Sequence, residues 1–151
     1  MKDRTYRYMS QEPLYPFGFG LSYTSFAYSN AKTSAGTIAP GESVEVSCTV
    51  TNTGEREGDE VVQLYLSDLE ASVDVPRSRL VGFARIALTA GQSRTVSFGL
   101  STDDMKLIDD QGRAVLEPGR FRLTIGGASP GNRGRELGAA EPAIVEMELR
   151  G

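Results

Sequence analysis

Histidine and tryptophan are both absent from this chain of 151 residues, and it has a single cysteine, Cys48. Histidine is the side chain that most often acts as a general base near neutral pH and as a metal ligand. Its absence leaves the serines with no imidazole to activate them, and no Gly-x-Ser-x-Gly elbow occurs. Without tryptophan, the broadest ring for stacking on a sugar is missing. One cysteine forbids an internal disulfide, which suits any redox compartment and selects none. No apolar run approaches the roughly 18 residues that span a bilayer, and the first residues lack the apolar core of a signal peptide. The formal net charge of −4 offers no basic footprint, which argues against nucleic acid and anionic membranes as partners.

What the chain does have is punctuation. Seventeen glycines and seven prolines break it into short apolar stretches, the pattern of strands and turns. Val44, Val46, Cys48 and Val50 alternate with Glu45, Ser47, Thr49 and Thr51, as in a sheet with one wet face. That parity turns Cys48 inward, where a thiol acts as a small hydrophobe. Further strands are expected at Tyr23–Ala31, Glu60–Asp68, Leu80–Leu88, Thr95–Leu100, Phe121–Ile125 and Ala143–Leu149. On the second of these, Val62, Leu64 and Leu66 face the core, with Gln63 and Tyr65 opposite. Gly82 marks a bulge. The last strand shows no single dry face, and the glycine-rich stretch from Gly126 to Ala140 reads as mobile. Asp109 to Gly112 is a hairpin loop between Met105–Ile108 and Arg113–Leu116. Such spacing reads as an all-β fold, an immunoglobulin or fibronectin type III-like β-sandwich of seven to eight strands.

In front of it lies Pro13-Leu14-Tyr15-Pro16-Phe17-Gly18-Phe19-Gly20-Leu21-Ser22-Tyr23-Thr24-Ser25-Phe26. Two prolines and two glycines exclude a regular helix and a central strand. An extended segment so rich in rings reads as a strap that presses onto a neighbouring surface. Residues 1–25 are expected to form this interdomain strap and residues 26–151 the sandwich. The docking residues would be Tyr6, Tyr8, Tyr15, Phe17, Phe19, Leu21 and Tyr23. The competing reading has the same rings cover the end of the domain's own core. The charged, aromatic stretch Met1 to Tyr8 is a poor chain start and predicts an interior piece of a longer polypeptide.

No constellation carries chemistry. Asp103-Asp104 and Asp109-Asp110 sit in hydrophilic turns, without the burial that drives two carboxylate pKa values apart and without the spacing of an EF-hand. Gly126-Gly127 and Gly131 to Gly134 lack the ending of a phosphate loop. Arg120 and Arg122 flank inward Phe121 and share an outer surface with which Arg77 and Arg79 could form a basic face, either solvated or ion-paired to a neighbour. No catalytic, cofactor-binding or metal-binding residue is assigned, and no cofactor is expected.

Arg4 to Tyr8 followed by Pro13 to Thr24 resembles the C-terminal region of glycoside hydrolase family 3, which contains β-glucosidases and β-xylosidases. Gly54 to Asp59 leading into Val61-Val62-Gln63-Leu64-Tyr65, then Pro76, Leu80 to Phe83, Leu88 to Gly91, Glu117 to Gly119 with Phe121, and Ile125 to Ser129 extend the resemblance over the chain. Phe19 stands where family members often have a polar or smaller-ring residue. The resemblance implies a fibronectin type III-like accessory domain whose partners are the catalytic domains of the same polypeptide, where the nucleophile and acid/base lie. It further implies a parent that is periplasmic, secreted or cytoplasmic in a bacterium, acting on terminal β-linked glucose or xylose. As such a domain the chain would border the rim of the active site, with an oligo- or polysaccharide there as a further partner; the alternative is a sugar-binding or partner-binding module that uses Tyr15, Tyr23 and Tyr65.

Overall fold

The structure, a computed structural model, describes residues 7–9 and 11–151. In chain order the strands are β1 (Phe26–Thr33), β2 (Thr37–Ile38), β3 (Ser43–Asn52), β4 (Gly58–Asp68), β5 (Arg79–Leu88), β6 (Ser93–Ser101), β7 (Leu107–Ile108), β8 (Ala114–Val115), β9 (Gly119–Gly126) and β10 (Ala143–Leu149). A 3-10 turn, Thr102–Met105, precedes β7, and a short helix, α1 (Asn132–Glu136), lies between β9 and β10. One sheet has the order β1-β3-β6 and the other β2-β10-β9-β4-β5, while β7 and β8 form a separate hairpin. Neighbours within the two large sheets are antiparallel except β2 and β10, which run parallel.

Alternation builds the core. Val44, Val46, Cys48 and Val50 of β3 join Val96, Phe98 and Leu100 of β6 on one side. Facing them are Val62, Leu64 and Leu66 of β4, Phe121, Leu123 and Ile125 of β9, and Met147 and Leu149 of β10. Each such side chain contributes about 1.5–3 kcal/mol when fully buried. The expected bulge is present: Leu64 pairs with Gly82 but Tyr65 pairs with Leu80, so Val81 is the extra residue. A Cβ on Gly82 would lie 2.9 Å from the Phe98 ring of the opposite sheet, which explains the missing side chain.

Three expectations are corrected. The first strand begins at Phe26, not Tyr23, and runs on to Thr33 past an irregularity at Asn30, whose φ is 53°. On β10, pairing with Leu123 and Phe121 brings Val145 and Met147 to the core, so the strand does have a dry face and Ile144 is left exposed. The stretch after β9 is held in place: it contains α1, closed by bonds from Leu137 N to Arg133 O (3.1 Å) and Ala139 N to Gly134 O (2.8 Å).

Asn52, at the end of β3, is fully buried and uses its whole carboxamide. Its Nδ2 donates to Arg56 O (2.7 Å) and Leu88 O (3.0 Å). Its Oδ1 accepts from Thr24 Oγ1 (2.7 Å) and Gly54 N (3.1 Å). One side chain thus joins the end of the strap, the β3–β4 turn and the end of β5. Removing a buried hub leaves its partners without water or replacement. Asn52→Ala is expected to lower stability by about 2–4 kcal/mol in urea unfolding. Thr24→Ala removes only one of these bonds, and its loss should be about 1 kcal/mol.

Candidate functional site

The outward residues of β4 have the parity expected of them, yet Gln63 and Tyr65 are not wet. Tyr65 is only 3% exposed, and Gln63 and Thr124 are buried beside it. The strap and the segment after β9 cross this part of the outer face. Gln63 Nε2 donates to Gly127 O (2.8 Å) and to Gly18 O (3.4 Å), while Tyr65 OH donates to Gln63 Oε1 (2.6 Å). Gly18 has φ +78°, and a Cβ there would overlap the Gln63 carboxamide. Only glycine fits both the backbone and the gap.

Further bonds hold the strap along its length. Ser129 N donates to Phe17 O (2.8 Å) and Arg77 N to Arg7 O (3.0 Å), while a bond from Phe19 N to Pro16 O (3.1 Å) closes a turn within the strap itself. Arg133 Nε donates to Leu14 O (3.1 Å). The Glu12 carboxylate accepts from Asn132 N (2.9 Å) and from Arg133 N. The strap's backbone belongs to the sandwich.

Its large side chains mostly do not. Pro16 is buried, and Phe19 and Tyr8 are half-buried. Leu14 is 80% exposed, Leu21 91% and Tyr23 94%, with Tyr15 and Phe17 also exposed. Tyr15 and Phe19 stack on each other with ring centroids 6.2 Å apart. Tyr8 lines a cleft of about 280 Å³ with Asp74, Pro76, Arg79 and Ile108. Tyr6 lies outside the described residues. The reading in which these rings cover the domain's own core does not describe Leu14, Leu21 or Tyr23.

The other polar groups are engaged structurally. Asp104 Oδ2 accepts from Ser101 N (2.9 Å) and Ser101 Oγ (2.7 Å), opening the 3-10 turn. Asp109 accepts from Arg113 N (2.9 Å) and Gln111 N (2.9 Å), bonds that hold its carboxyl below the usual range. Arg120 and Arg122 do share an outer surface, but they pair with Glu70 (3.0 Å) and Glu146 (2.9 Å), which neutralises their part of the expected basic face, while Arg79 donates to the backbone carbonyls of Lys106 and Asp104. Burial pushes the Cys48 thiol up to about 11. Among the described residues no cluster of three or more acidic or thiol side chains is placed to hold a metal ion.

Sequence reasoning did not single out Tyr28 and Glu60. The buried Tyr28 hydroxyl meets no well-aligned acceptor, and the Glu60 carboxylate stands beside it. Both face Gly127, where a Cβ would lie 3.3 Å from Glu60 Oε1 and 3.4 Å from the hydroxyl. Burial raises both groups above their ordinary values; for Glu60 the bond from Val61 N (2.8 Å) opposes the shift. They line a crevice of about 190 Å³ whose other wall is the strap from Gly18 to Ser22.

Two facing sheets, a lone buried thiol and a pinned front strap define the class. Residues 60–129 match the family described as fibronectin type III-like domain, in agreement with the two-sheet β-sandwich. The chain's relatives are family 3 β-xylosidases and β-glucosidases. It is 45% identical over 124 residues to a β-xylosidase of Formosa agariphila, covering 82% of this chain and 17% of that protein. It is 44% identical to the periplasmic β-glucosidase of Salmonella typhimurium, covering 81% of this chain and 16% of the relative. A solved β-glucosidase from Listeria innocua, in complex with glucose, superposes with a TM-score of 0.77 at 34% identity, over 99% of this chain and 20% of that one. The chain therefore spans about a sixth to a fifth of the length of these proteins.

The folded state binds the Glu60 proton more tightly than the unfolded chain does, because burial raises its pKa. The ionised carboxylate lowers stability at neutral pH; this effect fades as pH falls through the raised value of the folded state and is gone below the ordinary glutamate value of about 4.3. Glu60→Gln should raise the urea midpoint at pH 7 and leave it unchanged at about pH 3.5.

Proposed function

We propose that this chain is the non-catalytic accessory sandwich of a family 3 β-glycosidase, docked through its strap onto the catalytic domains of the same polypeptide. One observation carries the reading. The strap's backbone is bonded to its own domain while Leu14, Tyr15, Leu21 and Tyr23 are left exposed. Apolar side chains held outward on a fixed backbone are anchors for an apolar surface on another body. The lengths of the relatives support a large neighbour, since each is several times longer than the matched segment. Their names support its chemistry, hydrolysis of terminal β-linked glucose or xylose. The nucleophile and acid/base belong to that neighbour, and this chain contributes stability and position.

A sugar-binding role requires flat rings exposed in a row. Tyr65 is buried and Tyr15 is stacked on Phe19, which leaves Tyr23 as the fully open tyrosine of the three. The chain alone is expected to show no retention on xylan or cellulose and no turnover of aryl glucosides or xylosides. In the full-length polypeptide, Phe17→Ala and Leu21→Ala are expected to lower the melting temperature by several degrees and loosen the domain. Leu21→Ala, at a side chain left exposed by its own domain, should leave the 151-residue chain nearly unchanged. Equal losses in both proteins would return the strap to a purely internal role.

A further inference from the structure

The strap leaves part of the sheet beneath it uncovered. On β5, an edge strand of the five-stranded sheet, Phe83 is 71% exposed and Leu80 is also open, and on β4 Val61 is 41% exposed. Register sets Phe83 opposite Gln63 and Leu80 opposite Tyr65. Directly paired residues stand on the same face with Cβ atoms about 4.5–5.5 Å apart. Gln63 is the residue that carries Gly18 of the strap, so Phe83 stands beside the crossing point. Val61 lines the crevice walled by Gly18 to Ser22. Apolar exposure therefore continues from Leu21 across Val61 to Phe83. Edge strands are ordinarily guarded by charge. Here the Asp59–Arg85 ion pair (2.5 Å) borders the patch, and the centre is a phenyl ring.

We propose that the outer face of β4 and β5, centred on Phe83, is the second half of the surface that the strap presents to the catalytic body of the parent polypeptide. The inference rests on the docking reading and names where the docked body must reach. Two features single out that occupant. The patch is continuous with the strap's outward side chains, so a body seated on Leu21 is already beside Val61 and Phe83. The strap is tied to Gln63 and Ser129 within its own domain, and Gln63 in turn to Gly127, so Leu21 and Phe83 form one preformed surface with little ordering entropy left to lose. The complementary surface is apolar at its centre and polar where it meets the Asp59–Arg85 pair.

Hydroxyl-radical footprinting read by mass spectrometry tests this on the 151-residue chain and on the full-length polypeptide containing it. Burial in an interface is expected to lower modification of Phe83, Leu21 and Tyr23 at least about fivefold in the full-length protein. Protection of Leu21 and Tyr23 with Phe83 modified equally in both proteins overturns this inference and leaves strap docking standing. Equal modification of all three overturns both. Protection of Phe83 in the short chain alone, rising with concentration together with a doubled mass in sedimentation, assigns the face to a second copy and also overturns the proposal. Phe83→Asp provides the second measure: a lowered melting temperature in the full-length protein and an unchanged one in the short chain.

Discussion

A single carboxamide decides where the front of this chain lies. Gln63 projects from the outer face of β4, away from the core, and gives its amide protons to Gly127 and Gly18 while its oxygen takes the Tyr65 hydroxyl. A buried amide left unpaired is costly, and here the partners that satisfy it come from the strap, from the segment after β9 and from its own strand. The strap's path follows from that requirement. So does the glycine at position 18, since any side chain there would occupy the space of the amide.

Two further fixings act with it at the ends. Asn52 reaches Thr24, where the strap turns into β1, and Glu12 takes amide protons at the start of α1. A ribbon held near both ends and in the middle has few conformations left, although it has almost no regular secondary structure. Its exposed leucines and tyrosines are consequently presented rather than loose. For an interface this matters more than area, because affinity is lost to the ordering of mobile segments.

The sandwich was legible because its strands alternate. Val44 to Val50 and Val62 to Leu66 announce their inward sides by parity alone, and Gly82 announced its bulge. What parity cannot reveal is a second layer. Gln63 and Tyr65 occupy outward positions, and polar or amphipathic residues there read as solvated until the strap is laid over them. The same limit hid the order in the stretch after β9, whose glycines suggest freedom while Glu12, more than a hundred residues earlier, supplies its missing acceptor. Ile144 misled in the opposite direction, an apolar residue on the outer side of β10 that made two faces look dry. Tyr28 and Glu60 carried no signal, being an ordinary tyrosine and glutamate brought together from separate sheets. The strap's rings were conspicuous in the sequence, but their outward orientation depends on hydrogen bonds that no local pattern encodes.

Cys48 sits at the centre of β3, 1% exposed, with its thiol further protected by a pKa of about 11. Thiol reagents attack the thiolate, and only where they can reach it. As the chain's sole cysteine, it is a built-in clock for opening of the sandwich: alkylation proceeds only through molecules whose two sheets have parted, and its rate counts them. Nothing need be engineered to read it, and the strap, which carries no sulfhydryl, can come and go without moving the hand.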